Sequence, residues 1–328
     1  MLRVTETIGV IGGGGMIGSH VVRKLLDWNY NVEVADNLSA YHFDQIKYYG
    51  DSRANYHKID IRDKNLIDQF IKRCDRIIHL ASLADVSACI KNPELNFDVD
   101  IVGTFNILES CRKNDIKKLV FASSASVYGS PKWFDGKPPK VSEVDCVYPT
   151  TTYANTKLFN ETQMRLYNEH YNLPTISLRY FSVWGNNQQP KEGSHSWVIP
   201  IFIMKAIKNK PLTIIGDGEQ IRDFTAVEDI SEATVQSLFL DKANGRVFNV
   251  GTGIPTTIKQ VAEEIKVFFP NIKITYINKV KGDPNGCYAD NSLMEKTFGW
   301  KPTIKLQDKL EENVAYIVAN KDKIPDFI

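Results

Sequence analysis

Six glycines in eleven positions, directly after a short apolar run, restrict this chain more than any other feature of its sequence. Residues 8–18 read IGVIGGGGMIG. Glycine loses more backbone entropy on folding than any other residue, so such a cluster needs a geometric reason. Gly12, Gly15 and Gly18 fall between a run typical of a strand and an amphipathic segment, 17–28, typical of a helix. The pattern predicts a glycine turn that packs the helix onto the strand and presents the helix N–H groups to a phosphate.

Strand-like and helix-like segments alternate along the first half of the chain. The apolar runs that predict buried strands are 8–12, 31–36, 76–82, 117–124 and 175–181. Helical patterns at 94–113 and 154–171 separate the later runs. This alternation predicts the α/β class, with a Rossmann-type doubly wound parallel sheet and right-handed crossovers.

The pattern loosens after residue 181, where longer loops appear and the strand and helix patterns become less regular. Residues 223–240 look like a strand end and a helix that return to the first domain. We therefore predict a Rossmann domain over 1–181 plus about 223–252, and a smaller C-terminal domain over 182–222 and 253–328.

Composition disfavours several classes of partner. The 328 residues carry a formal net charge of +1 without a long basic or acidic run, which gives no support for nucleic acid or an anionic membrane as partner. No apolar run approaches the roughly 20 residues that span a bilayer, and the N-terminal residues do not resemble a signal peptide. The five scattered cysteines lack a C-x-x-C pair, so we expect reduced thiols in a cytoplasmic protein and no metal site.

Asp36 ends the second predicted strand, 18 residues after Gly18. A carboxylate at that place can accept hydrogen bonds from an adenosine ribose, and it would repel a 2′-phosphate. An aspartate alone at a strand end is more often a solvated residue or a cap. Together with the glycine turn, it predicts a dinucleotide site that takes NAD rather than NADP.

An ordered series of motifs resembles the extended short-chain dehydrogenase/reductase family, in its NAD-dependent epimerase/dehydratase group. The series is the glycine turn, DIRD (60–63), HLAS (79–82), SSASVYG (123–129), YANTK (153–157), LRYFSVWG, GDGEQIRDF and FNVGTG, and it covers nearly the whole chain. The branch it resembles most contains nucleotide-sugar 4-epimerases of the UDP-glucose 4-epimerase type. The resemblance implies tightly bound NAD, held by Gly12, Gly15, Met16, Ile17, Asp36, Asn37, Asp60, Ile61, Leu80, Ala81, Ser82, Tyr153 and Lys157.

Tyr153 and Lys157 lie one turn apart on a predicted helix and place a phenol and an ammonium on one face. A nearby cation, helped by the nicotinamide ring, favours tyrosinate, so we expect a lowered pKa for Tyr153 and proton transfer from a sugar hydroxyl. Tyr128 and Lys132 have the same spacing, but a proline between them argues against a helix. The resemblance adds Ser124, at a strand end, as the third catalytic residue.

The resemblance also places a nucleotide-diphosphate sugar in the second domain. The residues implied to contact this substrate are Ser124, Ser126, Ser182, Arg222 and Cys287, with Phe202 and Leu212 as apolar walls of the nucleotide site. Arginine suits bidentate binding of phosphate. Cys287 stands where 4-epimerases carry a residue that sets the pocket size, and a small side chain there leaves room for an N-acetyl group. UDP-hexoses and UDP-N-acetylhexosamines are the expected substrates.

Four positions depart from the family pattern. Ile11 replaces a threonine in the glycine turn, Asp100 stands where an asparagine is usual, and Ser182 replaces the asparagine after RYF. Val280 stands where a phosphate-binding arginine is usual, with Lys279 or Lys281 as candidates to replace it. Three of these departures concern substrate or cofactor placement, and the redox machinery is intact.

Ala125 and Ser126 follow Ser124 where related 4,6-dehydratases carry an Asp-Glu pair and related decarboxylases keep a glutamate. Their absence favours 4-epimerisation, in which a hydride leaves C4 and returns to the other face. Three alternatives stay open: a 4-dehydrogenase that releases a keto sugar, a dehydratase with carboxylates from elsewhere, and a non-catalytic NAD-binding regulator. The resemblance further implies a homodimer formed by helices 94–113 and 154–171, and a place in polysaccharide biosynthesis.

Overall fold

The chain folds around a parallel sheet of mostly apolar strands. The computed structural model describes residues 6–40, 42–46, 48–188, 197–278 and 285–324. Among these residues the strands are β1 (Thr7–Ile11), β2 (Asn31–Asp36), β3 (Ala54–Lys58), β4 (Arg76–His79), β5 (Leu119–Ser124), β6 (Lys140–Val141), β7 (Thr175–Tyr180), β8 (Val183–Trp184), β9 (Leu212–Ile215), β10 (Ile221–Arg222), β11 (Thr225–Ala226), β12 (Arg246–Val250), β13 (Thr256–Thr257), β14 (Ile274–Ile277) and β15 (Tyr288–Ala289). The α-helices are α1 (Met16–Asp27), α2 (Lys64–Ile71), α3 (Val86–Lys91), α4 (Pro93–Phe97), α5 (Thr104–Lys113), α6 (Thr152–Tyr171), α7 (Val198–Ile207), α8 (Val227–Ser237), α9 (Ile258–Phe268), α10 (Ser292–Phe298) and α11 (Leu306–Asn320).

Seven strands form the central sheet in the order β12-β7-β5-β4-β1-β2-β3, and all neighbouring pairs are parallel. The register sets Val10 of β1 beside Val34 of β2 and Ile78 of β4. The strand order reverses between β1 and β4, and open sheets of this kind bind ligands at the carboxyl edge of that point. The predicted fold class is confirmed.

Helices cover both faces of the sheet, which explains why its inner strands are apolar throughout. α1 and α8 share one buried core with the sheet, whereas α2, α5 and α6 share the other. α8 also packs against α1. This packing supports the prediction that 223–240 returns to the first domain.

A separate apolar core lies in the later part of the chain. It is built by α7, α9 and α11 against the parallel pair β9–β14, with Ile203, Leu212 and Val261 fully buried. The two-domain division, interleaved at about 223–252, stays a prediction that these separate cores support. Within the described ranges, no helix combines the length and the apolarity that crossing a membrane requires.

Two strands of the sheet and one helical irregularity lie outside the sequence prediction. Only Ala54 of the five residues of β3 is buried, so this edge strand lacks an apolar run. β12 overlaps the motif FNVGTG, but it is not predicted as a strand from the sequence. The predicted helix 94–113 consists of α4, a π-helical turn (Asp98–Gly103) and α5.

Candidate active site

The glycine turn joins β1 to α1 at the carboxyl edge of the sheet. Gly12 has a φ of +83°, and a Cβ there would lie 2.5 Å from the Ala81 nitrogen. A Cβ on Gly18 would lie 2.2 Å from the Gly12 carbonyl oxygen. At Gly15, which precedes α1, the nearest atom to a Cβ is 3.5 Å away. The protein's own packing therefore requires glycine at 12 and 18, whereas position 15 is left open towards the outside of the turn.

Asp36 is bound to this turn. Its Oδ2 accepts the Gly14 N–H at 2.9 Å and its Oδ1 accepts the Leu38 N–H at 2.8 Å. Burial raises the pKa of Asp36, and these two N–H groups act in the opposite direction. Each carboxylate oxygen keeps a second lone pair, which can accept a hydroxyl proton.

The residues after β2 and β3 form a polar turn near Asp36. Asn37 Nδ2 donates to Asp60 Oδ2 at 3.4 Å, and Arg62 forms an ion pair with the same carboxylate at 2.7 Å. The Arg62 guanidinium lowers the pKa of Asp60 to about 2. Ile61 is buried, and its carbonyl accepts a hydrogen bond from Asn106 of α5 at 3.1 Å. Asp60 is thus already paired within the chain, and its contact with adenine stays a prediction.

The end of β4 lies beside the glycine turn. The Leu80 and Ala81 N–H groups donate to the Ile11 carbonyl at 2.8 and 3.0 Å. The Ser82 hydroxyl is buried near Asp100. The residues predicted to bind a dinucleotide therefore meet along the carboxyl ends of β1, β2 and β4.

Ser124, Tyr153 and Lys157 come together at the end of β5. The Ser124 hydroxyl accepts the Ser126 N–H at 3.1 Å and is hydrogen-bonded to the Tyr153 phenol. Thr151 caps α6, which carries Tyr153 in its first turn. Lys157 Nζ donates to the Ala122 carbonyl of β5 at 2.9 Å and lies 5.6 Å from the centre of the Tyr153 ring. This is the arrangement of phenol, hydroxyl and ammonium that the motifs predict.

The electrostatics of Tyr153 differ from the prediction. Burial raises the pKa of Tyr153, the Asp100 carboxylate raises it further, and the hydrogen bond from Ser124 lowers it. Burial lowers the pKa of Lys157, whereas Asp100 raises it. In the chain without a cofactor, burial and a carboxylate therefore outweigh the opposing effects on the Tyr153 pKa. The expected lowering depends in part on the nicotinamide ring and stays a prediction.

Tyr128 belongs to the core. It ends a short 3₁₀ turn, Ala125–Tyr128, and donates its hydroxyl proton towards Asn249 Oδ1, at 2.7 Å, and the Ser142 carbonyl, at 2.9 Å. Arg179 in turn donates to the Tyr128 oxygen at 2.9 Å. The chain does not form a helix from 128 to 132, which agrees with the argument from the intervening proline.

Ser182 and Arg222 line a pocket in the later part of the chain. Phe202 lines it too, as predicted, but Leu212 does not, because β9 alternates and turns Leu212 into the core while Thr213 and Ile215 face the pocket. The sequence prediction missed several polar and aromatic lining residues, which are Trp184, Gln188, Trp197 and Gln220. Single tryptophans and glutamines in loops carry no motif that would have identified them. Val280, Lys279 and Lys281 lie outside the described residues.

Ser126 belongs to the turn Ala125–Tyr128 that follows Ser124, here named the catalytic turn, and Cys287 packs against it. The Ser126 hydroxyl oxygen is buried and has no hydrogen-bond partner among the described residues. Cys287 packs against the small apolar cluster of Val127 and Phe181. Burial raises the pKa of the Cys287 thiol to about 12, and the Arg222 guanidinium acts against that shift. Cys287 thus packs against the catalytic turn and interacts electrostatically with Arg222.

A profile of the NAD dependent epimerase/dehydratase family matches residues 8–251, about three quarters of the chain. The chain belongs to this family. The predicted family and its cofactor, NAD, are confirmed.

Relatives of known name cover nearly all of the chain. It is 36% identical over 315 residues to a putative UDP-glucose 4-epimerase of Methanocaldococcus jannaschii, covering 95% of this chain and 98% of that protein. The UDP-N-acetylglucosamine 4-epimerase of Methanobrevibacter ruminantium, solved with UDP-N-acetylmuramic acid, superposes with a TM-score of 0.89 at 30% identity, covering 96% and 99% of the two chains. The UDP-glucose 4-epimerase of Thermus thermophilus, solved with NAD, gives a TM-score of 0.85 at 28% identity, covering 95% and 99%.

The turn fits the cofactor of this family. Of the three glycines in the pattern, Gly15 alone has room for a side chain. This is the position at which a pyrophosphate approaches the backbone in dinucleotide-binding turns. Met16 and Ile17 begin α1, whose first N–H groups lack partners within the helix. The contact of Asp36 with the adenosine ribose stays a prediction. NAD, when bound, supplies a hydride acceptor at this edge of the sheet.

Proposed function

We propose that this chain is an NAD-dependent nucleotide-sugar 4-epimerase that acts on a UDP-hexose or a UDP-N-acetylhexosamine. The observation that supports it most directly is the meeting of Ser124, Tyr153 and Lys157 beside the glycine turn. Oxidation at C4 followed by reduction on the other face needs a proton acceptor and donor, a hydride carrier and no further reagent. The chain supplies the proton acceptor and donor, and NAD, the cofactor of its family, would supply the hydride carrier.

Tyr153 takes the proton from the C4 hydroxyl as that carbon is oxidised, and returns it when the 4-keto sugar is reduced. Ser124, hydrogen-bonded to the same phenol, orients the reacting hydroxyl. Lys157 is fixed by the Ala122 carbonyl, so its ammonium stays beneath the Tyr153 ring and stabilises the tyrosinate. Burial raises the pKa of Tyr153 in the chain without a cofactor, and the positive charge of oxidised NAD, when bound, would favour the tyrosinate.

Elimination or decarboxylation would require a further acid or base near the sugar. Positions 125 and 126 hold alanine and serine. Two carboxylates act on Lys157, and both are already engaged. Glu161 is bound by Arg179 through two hydrogen bonds of 2.9 and 2.8 Å, and buried Asp100 accepts hydrogen bonds from Leu83 and Asn96. These observations favour epimerisation over the dehydratase and decarboxylase alternatives. The buried, unpartnered hydroxyl of Ser126 suits a contact to the substrate instead.

Two of the residues expected to contact the substrate line the same pocket. Ser182 and Arg222 line one pocket, which suits a nucleotide diphosphate because arginine binds phosphate through two parallel N–H groups. The position of Cys287 beside the catalytic turn supports its role as the residue that leaves room for an N-acetyl group.

We also propose a homodimer, because apolar side chains are exposed on the two helical segments predicted to form the interface. These side chains are 38–56% exposed and include Leu95, Phe97, Val102, Phe105 and Phe159. The unpaired state of all five cysteines supports a reducing, cytoplasmic location, and a nucleotide-sugar product suits polysaccharide biosynthesis.

The decisive experiment is an NMR time course of the purified protein with UDP-N-acetylglucosamine, UDP-glucose, UDP-glucuronic acid and GDP-sugars, without added NAD. We expect a C4-inverted product with one of the UDP-sugars, and its loss in Tyr153→Phe by a factor of at least about 100 while NAD stays bound. Accumulation of NADH with external NAD would instead indicate the dehydrogenase. Full activity in Tyr153→Phe would refute the proposed mechanism.

A further inference from the structure

Asp100 is a buried acid at the catalytic centre that the chemistry above does not use. It is 2% exposed and lies in the π-helical turn between α4 and α5. The Leu83 N–H donates to one carboxylate oxygen at 3.3 Å, and Asn96 Nδ2 donates to the other at 2.5 Å. A buried carboxylate is costly unless hydrogen bonds and an opposite charge compensate it. Leu83 and Asn96 supply the hydrogen bonds, and a nearby cation has to supply the opposite charge.

The turn that carries Asp100 packs directly on the catalytic face of α6. Asn160 Nδ2 donates to the main-chain carbonyl of Asp100 at 2.6 Å. Tyr153, Lys157 and Asn160 follow one another at spacings of four and three residues, so they share one face of α6. The Lys157 ammonium is also buried, and Asp100 interacts electrostatically with both Lys157 and Tyr153.

We propose that Asp100 is a positioning residue of this site, whose carboxylate balances the buried Lys157 ammonium and favours the proton-bearing form of Tyr153. The inference rests on the proposed function, in which Tyr153 exchanges a proton with the sugar. An asparagine, which the resemblance leads us to expect at this position, is neutral and would do neither. This chain therefore begins its catalytic cycle with a more strongly protonated tyrosine than an asparagine at position 100 would give.

The other titratable groups of the cluster do not replace Asp100. Burial lowers the pKa of His79 on β4 to about 3 and raises that of Cys89 on α3 to about 12, so both are neutral at physiological pH. Glu161 on α6 is engaged by Arg179 in an ion pair of 2.8 Å. Among the described residues, Asp100 is therefore the carboxylate that acts on Lys157 and is not paired with a different cation.

The test compares Asp100→Asn with Asp98→Asn, a matched control on the same turn whose side chain is half-exposed and acts on Arg62. Ultraviolet tyrosinate absorbance of the NAD-containing protein is titrated with pH, and the titration of the matching Tyr153→Phe protein is subtracted. We expect Asp100→Asn to lower the midpoint of Tyr153 by about one pH unit or more, because a like charge has been removed. The pH profile of epimerisation should move with it, and Asp98→Asn should move neither. An unchanged midpoint in Asp100→Asn, or equal shifts in both variants, would overturn the proposal.

A stability cycle covers the case in which Asp100→Asn alone weakens the fold. Lys157→Met leaves Asp100 as an uncompensated buried charge, so adding Asp100→Asn to it should restore part of the lost thermal stability. Strictly additive losses in the two single variants and the double variant would refute the charge pairing. The absorbance titration and the stability cycle need no substrate, so a failed activity assay would count against the proposed function and not against this inference.

Discussion

Alanine at Gly18 tests whether the glycine turn is built as described. A Cβ there would lie 2.2 Å from the Gly12 carbonyl oxygen and 2.6 Å from the Gly13 Cα, both of which are backbone atoms. α1 would have to move away from the turn by about 1 Å to reach ordinary contact distance. Overpacking of this kind costs about 1–3 kcal/mol, and we expect Gly18→Ala to lower the free energy of unfolding by that amount.

Alanine at Gly15 should behave in the opposite way. A Cβ added to Gly15 would have its nearest neighbour, the Gly12 carbonyl oxygen, at 3.5 Å. The φ of Gly15 is −71°, which any residue can adopt. We expect the free energy of unfolding to change by less than about 1 kcal/mol. The added methyl group would, however, occupy the space that a pyrophosphate needs. If a penalty of about 1–3 kcal/mol falls on the bound cofactor alone, the Kd for NAD rises about 5- to 150-fold.

Two measurements separate these effects. Urea unfolding, with NAD removed because a bound cofactor stabilises the folded state, gives the free energies of wild type and both variants. Quenching of tryptophan fluorescence by added NAD gives the affinities. Wild-type NAD affinity in Gly15→Ala would show that the turn does not bind the pyrophosphate, and wild-type stability in Gly18→Ala would refute the packing argument.

Three further predictions concern the substrate pocket, a buried histidine and the proposed interface. Arg222→Lys keeps the charge but loses the planar fork, so the KM for the UDP-sugar should rise about tenfold with little change in kcat; an unchanged KM would remove Arg222 from the diphosphate site. His79 has its pKa lowered to about 3 by burial, so it takes up a proton only in the unfolded chain between that value and about pH 6.5. The free energy of unfolding should fall by up to about 1.4 kcal/mol per pH unit as the pH drops through this window. Urea titrations should show a flatter slope in His79→Gln than in the exposed control His170→Gln, and equal slopes would contradict the assignment. Phe97→Glu combined with Phe105→Glu should give a monomer in light scattering, whereas a persistent dimer would place the interface elsewhere.

The inner strands of the sheet are predictable because each is an apolar run followed by turn residues or polar motifs. β3 is different, since its residues alternate poorly and only Ala54 is buried. Its place follows from pairing with β2, where Ala54 lies beside Val32. An edge strand of this kind is defined by a neighbour rather than by its own composition.

The candidate site divides in a similar way. Ser124, Tyr153 and Lys157 are predictable because their chemistry is tied to fixed spacing and to strand and helix ends. The electrostatic effect of Asp100 is not predictable from the sequence, because it depends on how the π-helical turn packs on α6. The two lie far apart along the chain. The sequence predicts Leu212 as a pocket wall, whereas the structure buries it in the core. Sequence alone does not show which face of a short strand meets the ligand.

Asp36 carries a consequence for anyone who wishes to change the cofactor. The carboxylate that we expect to bind the ribose also accepts hydrogen bonds from the Gly14 and Leu38 N–H groups, and so holds the glycine turn against the end of β2. Replacing Asp36 to admit NADP would remove both hydrogen bonds at once. Engineering of cofactor preference in this chain therefore has to begin by supplying new acceptors for these two N–H groups, and single substitutions at position 36 should lose affinity for NAD before they gain any for NADP.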